Sequence, residues 1–562
     1  MECSQFILSN DTMDFIVARD EMENPITEPK CIQNINEQYA IWYYDRNILP
    51  PLSIEQYSYA SIPKLFSIMD STSLETSGII AMQNQPALSL KGQGILVGIV
   101  DTGIDYTNDL FKNSDNTSRI FSIWDQTAEN VSQISQNKPF LYGRIYENDQ
   151  INDALASDNP YEIVPQRDEV GHGTFLASLV AGNEDLANDF VGAAPNAELV
   201  VVKLKPAKQY LRDFFFAPTD APIYQENDVM TAVAYLESVA ERENRPLVIL
   251  IGLGSNQGSH VGTGPLSVYL NTIGELRGRA VVIAAGNEAN ARHHFFGQAT
   301  SVLTPITAEI NVEENMAGFC MELWAYAPEL VRVVVKSPTG QQTQGTFPIS
   351  QDTQTTNFVF ENTRLTINYR IAGRENGDLL IFFRFSNPIK GIWSVLVYPE
   401  NAITGQFHIW LPIRSLKESD VTFISPNPDT TITTPSTSFT PITTGGYNAL
   451  TGAIYLESGR GFDGNGRIKP DFCAPCVEVT GAGLRNNYVT FTGTSVSAAI
   501  TAGASALVLE WGILRRNSPF MNSVEVKNFL IRGCRRDNNV LYPNTEWGYG
   551  KLDLYNSFEV LR

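Results

Sequence analysis

Runs of apolar residues at Gly94–Val100, Glu198–Lys203, Leu247–Ile251 and Arg279–Ala285 are each the length of one strand, with helix-like stretches between them. Their hydrophobicity is continuous rather than alternating, as in strands buried on both faces. Parallel neighbours need a crossover connection, so such strands alternating with helices imply an α/β fold, a mostly parallel sheet with helices on both faces. Between Pro305 and Leu416 the pattern changes to short alternating runs such as VRVVVK, RLTINYR, DLLIFFRF, GIWSVLVYP and QFHIWL, separated by Gly, Asn and Pro. That segment reads as an inserted all-β domain. The α/β character returns after a Thr-rich strand segment, Thr430 to Thr444, with a strongly helical run from Thr494 to Leu514. Residues 1 to 58 mix short strands, Phe15–Ala18 and Tyr39–Tyr44, with acidic turns and end near the paired Pro50 and Pro51, so they form a small α+β unit of their own. The 562 residues hold about three to four domains' worth of chain. They divide into 1–58, 59–304, 305–416 and 417–562, the second and fourth being halves of one domain. No internal repeat is visible.

With 40 basic and 61 acidic residues the formal charge is −21, which excludes nucleic acid and anionic membrane surfaces as expected partners, since both reward clustered Lys and Arg. The N-terminus carries Glu2 and no basic segment, and no run of 18 apolar residues occurs, so cytosolic synthesis without signal peptide or membrane span is expected. Cys3, Cys31, Cys320 and Cys534 lie far apart in sequence and do not look like a disulfide framework. Cys473 and Cys476 form a single CxxC with no second pair or nearby His, a weak metal or redox signal.

Three motifs carry chemistry. Asp101, in VDTGID, ends a buried strand, the edge at which parallel sheets collect ligands and catalytic groups. His172, in GHGT, opens a helix between two glycines. Ser495, in GTSVSAA, falls in the first turn of a long apolar helix, where free N–H groups and the macrodipole favour developing negative charge. Singly, each has a blander reading as a turn residue, a structural His or an N-cap. Together, in the order Asp, His, Ser, they match one known chain order of a single triad geometry. His260, His293, His294 and His408 lack such flanks and read as structural.

With these flanking patterns in register, the sequence resembles the subtilisin-like serine proteases. The resemblance implies that Asn287, in VVIAAGNE, donates its side-chain amide to an oxyanion, and that Leu253, Gly254 and Gly286 line the primary specificity pocket. It extends to SGRG and RIKPDFCAP before Ser495 and to WGYGKL near the C-terminus. Cys476, Val496 and Ala499 depart from residues common in the family without touching the triad. No cofactor is implied, and no loop has convincing calcium-ligand spacing. Tyr59-Ala60-Ser61-Ile62-Pro63-Lys64-Leu65 is similar to the mature N-terminus of subtilases, which puts a maturation cut at Ser58 and Tyr59 and makes 1–58 a prodomain. The short prodomain, the β insert and LKPAKQYLRDFF after the His172 helix resemble the clostridial Csp proteases of spore germination. That likeness implies a prodomain retained non-covalently after self-cleavage, a jelly-roll insert, a protein substrate that is the zymogen of a cortex-lytic enzyme, and a spore-associated location. A non-catalytic pseudoprotease scaffold is the competing reading, opposed by the intact triad; a general peptidase would carry the same residues. For the insert, a clamp between prodomain and catalytic domain competes with a carbohydrate-binding module, which fold alone cannot support.

Overall fold

A computed structural model of the chain describes residues 3–19, 27–68, 77–86, 88–128, 140–299, 301–345, 353–372, 377–400, 403–417 and 419–561. Its centre is an eight-stranded sheet in the order Phe472–Pro475, Ile442–Tyr447, Arg279–Ala284, Leu247–Ile251, Leu96–Asp101, Glu198–Lys203, Ile120–Asp125 and Arg144–Glu147. Every neighbouring pair is parallel except the last. All residues of Leu96–Asp101, Leu247–Ile251 and Arg279–Ala284 are buried, as their continuous hydrophobicity requires. Of the Thr-rich segment only the end becomes strand, Ile442–Tyr447. Pro428, Pro435 and Pro441 remove backbone donors that a sheet interior needs, so the preceding stretch runs irregularly.

Helices His172–Ala181 and Thr494–Leu509 lie on one face of the sheet and are buried on all sides. The second continues as a π turn, Glu510–Leu514. Among the described residues Thr494–Leu514 is the one helix long and apolar enough to cross a bilayer, but here it fills the core. Helices Glu226–Glu243 and Pro265–Glu275 cover the opposite face.

The insert consists of two antiparallel sheets. One has the order His294–Gln298, Gln406–Trp410, Gly318–Ala325, Asp378–Ser386, Thr363–Ala372 and Thr353–Phe358; the other has Val331–Lys336, Gly391–Pro399, Ile306–Val312 and Val421–Phe423. Its strands therefore reach beyond the expected 305–416 on both sides, to His294 and Phe423. The edge pairings His294–Gln298 with Gln406–Trp410 and Ile306–Val312 with Val421–Phe423 link residues remote in sequence, which alternation alone does not reveal. In Gly391–Pro399 burial alternates, because one face meets solvent. In Gly318–Ala325 every residue is buried. Phe319, Met321 and Leu323 face the core between the sheets, while Cys320 and Trp324 face outward and are covered by the N-terminal unit.

That unit is a helix, Cys3–Leu8, and a sheet in the order Thr12–Ala18, Tyr39–Asp45, Cys31–Asn34. Phe15, Trp42 and Tyr57 cluster with Trp324 and Phe382 of the insert and Leu211 and Phe215 of helix Gln209–Phe215, while Ile16, Ile41 and Tyr43 join the catalytic core. Both faces of its strands Thr12–Ala18 and Tyr39–Asp45 are thus packed against other parts of the chain, while Ile32 and Asn34 of the edge strand are exposed. Asp14, 0 % exposed, accepts from Lys208 Nζ at 2.6 Å, Gln225 Nε2 at 2.8 Å and Asn227 Nδ2 at 3.3 Å, so its buried charge is paired and hydrogen-bonded. The reading of the cysteines is corrected at one place. Cys3 and Cys31, 28 positions apart, are brought to 5.4 Å between Cα atoms and form a disulfide, because the helix folds back against the sheet edge. The other four, Cys320, Cys473, Cys476 and Cys534, are free and buried. Burial pushes the Cys473 thiol well above its ordinary range, which keeps it protonated and unreactive.

Three of the four histidines read as structural meet at the junction of insert and catalytic domain. Trp410 stacks on His260 with ring centroids 4.0 Å apart and on His408 at 5.1 Å, and His408 Nδ1 lies 2.9 Å from His294 Nε2. Burial holds His408 down to about 3, so the folded chain resists a proton that the unfolded chain takes up near the ordinary value of about 6.5. Its effect on stability is nil above pH ~6.5 and grows as the pH falls toward the folded value. At pH 5 the cost is about 2 kcal/mol for this one ring, at about 1.4 kcal/mol per pH unit. Urea unfolding between pH 7 and 5 should show this loss, and His408→Asn, whose amide does not titrate, should lose correspondingly less; equal losses in the two proteins refute the assignment.

Candidate active site

Asp101 ends its strand at the carboxyl edge of the sheet, and its Oδ1 lies 2.8 Å from His172 Nδ1. On the other side of the ring, His172 Nε2 is 3.2 Å from Ser495 Oγ. A ring held this way can take the serine proton at Nε2 while the carboxylate orients Nδ1–H and stabilises the imidazolium. All three side chains are buried. Two glycines make the approach possible. A Cβ on Gly173 would sit 2.2 Å from the Gly103 carbonyl oxygen, and one on Gly252 would sit 3.3 Å from His172 Cε1.

Asp168 ties the Asp101 turn to the His172 helix, a role that motif reading missed. Its Oδ1 accepts from Thr102 Oγ1 at 2.8 Å, Gly171 N at 2.8 Å and Val170 N at 3.1 Å. Oδ2 accepts from Thr174 N at 2.9 Å and Thr174 Oγ1 at 2.7 Å. Thr102 Oγ1 in turn accepts from Gly173 N at 2.9 Å, and Thr102 N donates to Asp101 Oδ1 at 2.8 Å. The carboxylate thus caps the helix that carries His172 and fixes the turn that carries Asp101. The available signal was an Asp four positions ahead of the His.

Asn287 follows the strand Arg279–Ala284, and its Oδ1 accepts from Thr494 N and Thr494 Oγ1, both at 3.1 Å. With the carboxamide oxygen committed to the residue before Ser495, the amide hydrogens of Asn287 are left to serve another acceptor beside the nucleophile. Gly286 N donates to Thr494 Oγ1 at 3.0 Å, and a Cβ on Gly286 would strike Thr433. Leu253 and Gly254, two of the expected pocket residues, form a short strand just beyond Leu247–Ile251.

The strand Leu65–Ile68, in the segment expected to follow the maturation cut, runs beside Leu253 and Gly254. Leu65–Ile68 is the middle strand of a three-stranded sheet, antiparallel to Leu253–Gly254 on one side and to Ile223–Gln225 on the other. Ile68 pairs with Leu253 and Ser67 with Gly254, so the strand heads toward Gly252 and the triad. Phe66, wholly buried, pairs with Tyr224. Leu65 N donates to Gln257 Oε1 at 2.9 Å. The expected cut residues Ser58, exposed, and Tyr59, buried, lie upstream of this strand. Tyr59 is buried in a 3-10 turn, its hydroxyl donates to Glu322 of the insert, and its carbonyl accepts from Lys64 Nζ at 2.8 Å. A new charged terminus there would be desolvated, whereas the strand beside the triad begins only at Leu65.

Replacing Asp168 by Asn puts an amide where five donors now converge. We expect Asp168→Asn to lower the unfolding free energy by about 1–3 kcal/mol in urea titrations, the cost of stranding buried donors, with Thr102→Val costing less. Equal stability of Asp168→Asn and the parent would refute its role.

Comparison with known proteins agrees with this geometry. The family model described as the subtilase family matches residues 92–331 and 417–550. The C5a peptidase of Streptococcus pyogenes serotype M6 is 22% identical over 449 residues, which cover 74% of this chain and 34% of that protein, and the mouse membrane-bound transcription factor site-1 protease is 35% identical over 98 residues, 17% of this chain and 9% of that protein. The chain thus spans about a third of the length of the first of these curated relatives. The solved structure of the Clostridium perfringens CspB protease superposes with a TM-score of 0.75 at 29% identity, covering 86% of this chain and 98% of that one. With the family model matched over more than half its length and Asp101, His172 and Ser495 in hydrogen-bonding sequence, the chain belongs to the subtilase family.

Proposed function

We propose that this chain is a self-processing serine endopeptidase. The observation that carries the reading is the strand Leu65–Ile68, paired on both edges within the cleft and directed at a formed triad. Extended peptides bind proteases by such strand addition, main-chain pairing supplying affinity and alternate side-chain pockets specificity. Ser495 attacks the carbonyl, His172 takes its proton and returns it to the leaving amine, Asp101 holds the tautomer, and Asn287 with the Ser495 N–H binds the oxyanion. The described strand ends at Ile68 and runs toward Gly252, so we place the cut just past it in the sequence, at Met69–Asp70 or its immediate neighbour. The N-terminal product stays bound: its strands Thr12–Ala18 and Tyr39–Asp45 are packed on both faces, and its last strand fills both edges of the cleft. The mature enzyme is then inhibited until that strand is displaced. Leu253, Gly254 and Gly286 line the pocket for the residue before the cut, and the Phe66 pocket selects a bulky apolar residue upstream.

For the substrate we propose the zymogen of a cortex-lytic enzyme, acted on in the spore, supported by the similarity to the CspB protease. Assays on such a zymogen beside casein separate this from a general peptidase. The insert acts as a clamp in this reading, since the outward face of its larger sheet packs on the N-terminal unit rather than presenting a free binding face.

Expressing the parent chain beside Ser495→Ala tests the core of the proposal. The parent should yield two fragments, the larger beginning at or next to Asp70, and the variant one full-length chain. Asn287→Ala should slow cleavage by about 10²–10³, the magnitude known from subtilisin itself. Two full-length chains refute self-cleavage, and a fragment beginning at Tyr59 refutes the register.

A further inference from the structure

We infer that the insert positions the oxyanion residue through a buried relay, Lys417–His293–Glu288, so that it acts on the reaction as well as clamping the fold. This rests on the protease reading above. Glu288 directly follows Asn287. Its Oε2 accepts from His293 Nδ1 at 2.5 Å and from Asn256 Nδ2 at 2.9 Å. Asn256 lies two residues beyond Gly254 of the cleft strand, and its Nδ2 also donates to Leu411 O at 3.1 Å. The far side of the imidazole, His293 Nε2, lies 2.8 Å from Lys417 Nζ, which also donates to Val421 O at 3.0 Å. Glu288, His293 and Lys417 are 7%, 1% and 7% exposed. His293 immediately precedes the first insert strand and Lys417 precedes the last, so the relay joins both ends of the insert to the residue beside Asn287.

The hydrogen-bond roles follow from the chemistry of the groups. An ammonium only donates, so His293 Nε2 accepts and its Nδ1–H donates to the Glu288 carboxylate, leaving a neutral ring between opposite charges. Burial depresses both His293 and Lys417, the latter to about 8, while Glu288 and Asp420 favour the ammonium and Arg414 opposes it. The charge of Glu288 is therefore balanced through the ring, with Glu313 and Asp420 the other acids facing Lys417. Loss of the Lys417 charge leaves the Glu288 carboxylate buried without its balancing cation, and the side chain that fixes the Asn287 loop against Asn256 loses its hold. These are positioning residues: they act on the reaction only through Asn287.

The test uses the full chain. Lys417→Met should slow self-cleavage about tenfold or more, less than the loss of the oxyanion donor itself. In an Asn287→Ala background the same change should have no further effect, since the group it positions is gone. Adding Glu288→Gln to Lys417→Met should restore the thermal midpoint by removing the unbalanced charge. Losses that add in the Asn287→Ala background overturn the relay. A second readout needs no turnover: in the uncleaved Ser495→Ala chain, the Asn287 side-chain amide resonance, assigned by its disappearance in Asn287→Ala, should shift on Lys417→Met. An unmoved resonance overturns the relay even if the parent cleaves; a parent that fails to cleave while the resonance shifts counts against the protease reading alone.

Discussion

The hydrogen bond between Asp101 and His172, 2.8 Å long, is the contact on which the rest of the site depends, because it fixes the imidazole of one element against the carboxylate of another at the carboxyl edge of the sheet. A catalytic imidazole must be held in one tautomer and one orientation, and no element can do that to its own side chain alone. Asp101 is fixed by its strand, and the His172 helix is pinned to that strand by Asp168 and Thr102. Gly103 and Gly173 let the two backbones approach. Ser495 is then placed by a helix buried on all sides, one of the most constrained positions in the chain.

The N-terminal unit and the insert can be understood from that edge. A cleft able to add a peptide strand presents unpaired backbone groups on both sides, and Leu65–Ile68 satisfies both at once. The N-terminal unit upstream of this strand packs its sheet against both the catalytic domain and the insert. Where the unit covers it, the outward face of the insert's larger sheet accordingly carries Cys320, Trp324, Leu380, Phe382 and Trp410. Glu322 gathers the three parts, accepting from Tyr59, from Gly258 N at 2.9 Å and from Trp324 Nε1 at 3.0 Å.

Much of this was legible in the sequence. The continuous apolar runs point to the parallel strands, and Asp101, His172 and Ser495 stand out because each motif sits at a strand end or helix start whose local geometry the flanking residues dictate, whereas Asn287 rests on family resemblance. Asp168 was passed over because its importance lies in five donors that converge only after folding. The disulfide was missed for a like reason, since 28 positions of sequence say nothing about a helix turning back on a sheet edge. The cut at Ser58 and Tyr59 is an expectation from local likeness alone, whereas the strand beside Leu253 and Gly254 is set by pairing with residues more than 150 positions away.

The sequence by itself determined the fold class and the reacting groups, because hydrophobic period and motif chemistry are properties of short segments. Only the tertiary structure decided which strand fills the cleft, where the insert begins and ends, and how Glu288, His293 and Lys417 come together. Those are contacts between segments, and their free energy comes from burial and pairing that no single segment contains.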